Sequence, residues 1–185
     1  NWGTSLGNLA QAKGGEEAER LYAQAFEKFA EAVRIKPDKH EALNNWGTSL
    51  GNLAQAKGGE EAERLYAQAF EKFAEAVRIK PDKHEALYNW GTSLGKLAQA
   101  KGGEEAERLY AQAFEKFAEA VKAGGSSYNL ACLYAIRGHK TEALSALNHS
   151  LSNNEILVDF VLADEDWSEY LIDPDFKTLV DSFRP

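Results

Sequence analysis

Apolar side chains recur along this chain at steps of three and four, in two successive stripes that repeat with a period of 44 residues. Leu43, Trp46, Leu50, Leu53 and Ala54 fall on one helical face. Ala62, Leu65, Tyr66, Ala69, Phe70, Phe73, Ala76 and Val77 form a second stripe. Each unit therefore predicts a pair of helices. Asp38 followed by Glu41, just after Pro37, predicts the start of the first helix, and Asp82 with Glu85 repeats the signal. Lys57-Gly58-Gly59 predicts its end, a cation in the last turn and then a glycine stop. Glu60 and Glu61 place anions at the positive end of the second helix, and Pro81 closes it. Gly47 and Gly51 lie one turn apart beside the first stripe. Glycine costs about 1 kcal/mol in a helix, so this pair predicts a close approach by another helix.

The copies are nearly identical. Residues 45–88 repeat residues 1–44 with one change, Asn44 becoming Tyr88. Residues 89–122 repeat the first part of the second copy with two changes, Asn52 to Lys96 and Arg78 to Lys122. Such near-identity implies recent duplication or deliberate design. A fixed period in this range predicts stacked repeats, each covering the apolar face of the next. The expected organisation is three 44-residue repeats over 1–122, the first and third incomplete, then a shorter helix pair over 123–152 and a helical cap over 153–185. In the shorter pair the helices are expected at 127–137 and 141–152, joined at Gly138. Within the cap, 155–163 reads as helical, and Asp173-Pro174 reads as an N-cap and first helical residue.

Composition narrows the function. The net charge is -8, which excludes nucleic acid as a partner, because a phosphate backbone selects clustered Lys and Arg. The acidity sits mainly in residues 123–185, with ten Asp/Glu against four Lys/Arg. One cysteine, Cys132, excludes an internal disulfide and fits a reducing compartment. No apolar run reaches the roughly 18 residues of a membrane span, and no signal-peptide pattern opens the chain. The expected location is cytoplasmic, with no membrane partner. The chain lacks Met and starts inside a repeat, so a fragment of a longer chain is expected.

The second helix carries Ala69-x3-Phe73-x2-Ala76-x4-Pro81, and the pattern recurs at Ala25, Phe29, Ala32 and Pro37 and at Ala113 and Phe117. With Gly47 in the first helix, and Gly138, Ala143 and Leu147 in the shorter pair, these residues resemble the tetratricopeptide repeat family over about residues 1 to 152. That resemblance implies a right-handed α-solenoid whose first helices line a peptide-binding groove. The family's period is about 34 residues, so ten extra residues here fall between Gly47 and Ala69 and lengthen both helices.

The polar face of the first helix presents Glu41, Asn45, Thr48, Asn52 and Gln55, and stacking aligns it with Asn1, Thr4, Asn8 and Gln11 on one side and with Glu85, Asn89, Thr92, Lys96 and Gln99 on the other. Asn amides can pair with an extended peptide backbone without reading its sequence. The expected groove residues are Asn45, Thr48, Asn52, Tyr88, Asn89, Thr92 and Lys96. Asn45 and Asn89 match the family position that grips a peptide backbone. The cationic clamp of chaperone-binding members is replaced by Glu41, Asn44, Thr48 and Glu85, so chaperone tails are not the expected ligand.

Other chemistry has little support. His84-Glu85-Ala86-Leu87-Tyr88 begins like a zinc signature but lacks the second His. Cys132, His139 and His149 do not share ligand spacing, and Cys132 reads as a core thiol. Trp2, Trp46 and Trp90 read as packing between repeats. Asn148-His149-Ser150 is a glycosylation triplet only in a secreted chain. No catalytic set, metal or cofactor is expected. The reading is a non-catalytic scaffold binding an unidentified protein or peptide. The alternatives are end-to-end self-association through the first repeat, or a recently amplified or designed repeat without a specific ligand.

Overall fold

A computed structural model describes residues 2–184. Every regular element among them is helical, the class that the two stripes predict. The helices are α1 Trp2–Ala12, α2 Gly15–Ile35, α3 His40–Lys57, α4 Gly59–Ile79, α5 His84–Ala100 and α6 Gly103–Lys122. They continue with α7 Tyr128–Ile136, α8 Lys140–Ser152, α9 Val158–Ala163, a 3-10 helix Glu165–Tyr170 and α10 Pro174–Asp181. The chain forms two compact units, one ending at Lys116 and the other starting at Phe117.

In the first unit the helices pack in adjacent pairs, α1 on α2 and α3 on α4, as in an α-solenoid. Successive repeats meet through α2 on α3 and α4 on α5, while the first helices lie side by side, α1 against α3 and α3 against α5. Phe29 and Phe73 are fully buried, as are Ala25 and Ala69. The expected glycine contacts are present. A Cβ on Gly47 would lie 2.7 Å from Phe73 Cε1, and one on Gly51 would lie 3.1 Å from Ser93 Oγ. Gly47 thus admits the second helix of its own hairpin, and Gly51 the first helix of the next repeat. The hairpin turn uses Gly58 at φ 72° and Gly59 at φ 58°, a region that L side chains rarely enter.

The helix-start signal at Asp38 behaves differently from expectation. α3 begins at His40, and no side chain caps it. The backbone turn after Pro37 supplies the bonds instead: Lys39 N–H donates to the Lys36 carbonyl and His40 N–H to the Asp38 carbonyl. In the next copy the Asp82 carboxylate pairs with Lys80 at 3.2 Å, and that ammonium holds its carboxyl below the usual range.

In the second unit, α7 packs on α8 around Gly138, at φ 72°. Its core gathers on Trp167, which is fully buried and stacks on Phe176 with ring centres 5.4 Å apart. The expected helix over 155–163 is shorter and starts at Val158. Two interactions hold Glu155 out of it. Asn154 turns left-handed at φ 54°, so that Glu155 N–H returns to the Ser150 carbonyl at 2.9 Å. Its carboxylate accepts from Ser127 N–H at 2.8 Å and from the hydroxyls of Ser126 and Ser150 at 2.9 and 2.8 Å. Asp173 caps α10 as expected: its carboxylate accepts from the backbone N–H of Asp175 and Phe176, and Pro174 opens the helix.

Candidate protein-binding face

The stripe expected on the first helices is continuous, and hydrogen bonds between repeats build it. Asn45 Nδ2 donates to Thr4 Oγ1 at 3.0 Å. Asn52 Nδ2 donates to Gln11 Oε1 at 3.5 Å, and one repeat later Lys96 Nζ donates to Gln55 Oε1 at 2.9 Å. Each of these rungs joins residues 41 apart, three fewer than the period. Neighbouring first helices are therefore offset by about one turn, since three residues are close to the 3.6 of a helical turn.

Near the start of α5 the rung changes partner. Asn89 Nδ2 donates to Asn44 Oδ1 at 2.9 Å. Asn44 is the position at which the next copy carries Tyr88, and Tyr88 meets the His84 ring edge-on with centres 5.7 Å apart. Thr48 Oγ1 donates to the Asn44 carbonyl within its own helix. Thr92 is exposed, while Asn45, Thr48, Asn52, Tyr88, Asn89 and Lys96 are half-buried. Burial pushes the Lys96 ammonium below its ordinary pKa. Asn1, expected on the same stripe, lies outside the described residues.

Concavities lie at both ends of the stripe. One, of about 220 Å³, lies between the starts of α3 and α5 and is lined by His40, Glu41, Asn44, Asn45, Lys83 and Glu85. At the turn end, a cavity of about 310 Å³ is lined by residues that include Gln11, Tyr22, Asn52 and Lys57. Its counterpart one repeat on holds about 160 Å³, with Lys96 in the place of Asn52. Lateral ion pairs border these two: Lys57 to Glu19 at 2.7 Å and Lys101 to Glu63 at 2.6 Å. Each lysine is held above its ordinary pKa, first by its hydrogen bond to that glutamate.

Two of the three tryptophans, Trp46 and Trp90, pack between repeats as the apolar pattern predicts, whereas Trp2 is exposed. Trp46 stacks on Phe29 and Trp90 on Phe70, both with ring centres 6.5 Å apart. Sequence reasoning missed the glutamines as acceptors and Asn44 as a rung. The repeat phase suggests residues 44 apart as partners, and only the offset between helices reveals the 41-residue pairing.

This face offers amides, hydroxyls and a few charges on a helical scaffold, a chemistry suited to gripping polypeptide. Residues 41–131 match the family model described as plant specific mitochondrial import receptor subunit TOM20. No curated protein matches the chain. The match and the all-helical repeat agree on a tetratricopeptide-like helical architecture, and the family that the match names is one of import receptors. The match also overturns the expected cytoplasmic location, because the family it names is mitochondrial. A single unpaired cysteine reports on redox environment and carries no organelle address. Among the described residues, no helix is long and apolar enough to cross a membrane.

Proposed function

We propose that this chain is a non-catalytic receptor module that captures polypeptides for mitochondrial import, holding them along the polar stripe of α1, α3 and α5. The observation that carries the reading is the match over residues 41–131, which contains Asn45, Thr48, Asn52, Tyr88, Asn89, Thr92 and Lys96. An Asn side chain has two amide hydrogens and a carbonyl, so a rung that uses one hydrogen leaves capacity for a bound backbone. The rungs fix each amide's orientation before a ligand arrives, which lowers the ordering cost of binding. The test is fluorescence anisotropy with a labelled mitochondrial precursor peptide. Replacing Asn45, Thr48, Asn89 and Thr92 together by Ala abolishes binding on this reading, with helicity by circular dichroism unchanged. Undiminished binding by the folded variant would reject the stripe as the site.

A second reading, self-association through α1, has one observation in its favour. Trp2 is 77% exposed and Leu9 46%, whereas Leu53, the equivalent of Leu9, is 9% exposed beneath the preceding repeat. Concentration-dependent mass in sedimentation supports it, and a constant monomer mass rejects it.

A further inference from the structure

The two cavities at the turn end of the stripe have equivalent walls that differ in sequence at one position, where the first has Asn52 and the second Lys96. The other lysines that line them have carboxylate partners: Lys13 pairs with Glu17 at 3.8 Å, Lys57 with Glu19 and Lys101 with Glu63. Lys96 has none among the described residues. Its half-buried ammonium donates to a neutral acceptor, Gln55 Oε1. We propose that the cavity beside Lys96 receives an Asp or Glu side chain of the bound polypeptide, a preference that the cavity beside Asn52 lacks. Resting on the stripe as the protein-binding face, this names the ligand's chemistry at one position along it.

A charge drawn partly out of water costs free energy unless a counter-charge or hydrogen bonds replace the lost solvent. Asn52 avoids that cost in the first cavity, because a neutral amide makes the corresponding bond to Gln11. Lys96 bears it: burial disfavours the ammonium, and the bond to Gln55 answers only one of its three donors. A carboxylate brought by the ligand supplies the missing charge and accepts from the donors that remain. Such charge-assisted bonds are about twice as strong as neutral ones. The substitution therefore turns a cavity that can only hydrogen-bond into one that selects an anion.

The remaining walls do not oppose an anion. Glu63 is the one acidic residue in the lining, and Lys101 holds its carboxylate at 2.6 Å. Gly58 and Gly59 also line the cavity, at the start of α4, which no side chain caps. Backbone N–H groups at a helix start favour negative charge. The volume of about 160 Å³ is enough for several waters, and so for the end of an acidic side chain. The first cavity has the same glycine turn and the same kind of lateral ion pair, so the charge at Lys96 is what distinguishes the two.

The test follows the Lys96 side chain of the intact chain by nuclear magnetic resonance, its signal identified by its loss in Lys96→Gln. Adding acetyl-Ala-Glu-Ala-amide shifts that signal and raises the Lys96 pKa, because a carboxylate favours the ammonium. The matching Gln peptide does neither, and Asn52→Lys creates a second lysine that responds. In anisotropy, a Glu placed at successive positions of an amidated precursor peptide strengthens binding about fivefold at one of them, and Lys96→Gln removes that preference. Equal responses to the Glu and Gln tripeptides would overturn the proposal. So would a response only to a free peptide C-terminus, or a Glu preference that survives Lys96→Gln. A Lys96 that answers the Glu tripeptide while no precursor peptide binds would support the cavity's selectivity and reject the stripe.

Discussion

Gly47 on α3 and Phe73 on α4 meet so closely that a Cβ on the glycine would lie 2.7 Å from one ring carbon and 2.9 Å from two others. The ring is fully buried, so it can make way only by displacing its core neighbours. Gly47→Ala therefore costs about 1–3 kcal/mol by overpacking, against a helix-propensity gain of about 1 kcal/mol. Gly95 provides the control. It also lies inside a helix, but a Cβ there meets nothing within 4 Å. Gly95→Ala raises stability by up to about 1 kcal/mol. Urea midpoints of the two variants move in opposite directions; a rise for both would mean that the Gly47 contact relaxes freely.

Much of the first unit is legible from local rules. Apolar steps of three and four place α3 and α4, and Gly58-Gly59 and Pro81 end them, because each signal acts within one or two turns. The capping signal at Asp38 fails because the turn after Pro37 satisfies the same backbone groups first. Glu155 fails as a helix start for a long-range reason: its partners Ser126 and Ser127 lie 28 or 29 residues away. The polar stripe is legible as a face, yet its rungs are not. They depend on how far one helix slides past the next, which no single helix encodes.

Glu155 gives the second unit an acid-sensitive latch. Burial raises its carboxyl pKa, but the Ser127 N–H and the three serine hydroxyls outweigh this and hold it below its ordinary 4.5. A lowered folded pKa contributes stability that is complete above 4.5 and is lost as pH falls through the lower folded value. Glu155→Gln costs about 2 kcal/mol at neutral pH, the worth of hydrogen bonds to a charged acceptor. The gap between wild type and variant narrows as pH drops below 4.5. Thermal unfolding at a series of pH values checks this, and a constant gap would show that the charge is irrelevant.

Asp173 serves α10 twice, as N-cap and as partner of Lys140 at 2.6 Å. The two roles separate by substitution. Asp173→Ala removes both and costs about 1 kcal/mol, the usual worth of a cap. Asp173→Asn keeps an oxygen for the Asp175 and Phe176 N–H groups and loses only the partly exposed ion pair, worth less than about 1 kcal/mol. Adding salt shrinks the remaining difference between Asn and wild type. Equal losses for Ala and Asn would assign the effect to the ion pair instead.

Trp2 and Trp46 occupy the same position in successive repeats, and their surroundings differ. Trp2 is 77% exposed, while Trp46 is half-buried, stacked on Phe29, with Lys72 Nζ 4.4 Å from its ring centre. The lysine comes from the second helix of its own repeat and Phe29 from the repeat before, so this indole ties two hairpins together. Trp46→Ala then costs about 3 kcal/mol, at the low end for a large aromatic because the site is partly open. Trp2→Ala stays within about 0.5 kcal/mol, as for an ordinary surface change. A double-mutant cycle isolates the cation above the ring: Lys72→Ala combined with Trp46→Ala yields a coupling of about 0.5–1 kcal/mol. Equal costs for the two tryptophans would mean that stacking between repeats adds nothing to the stability of this unit.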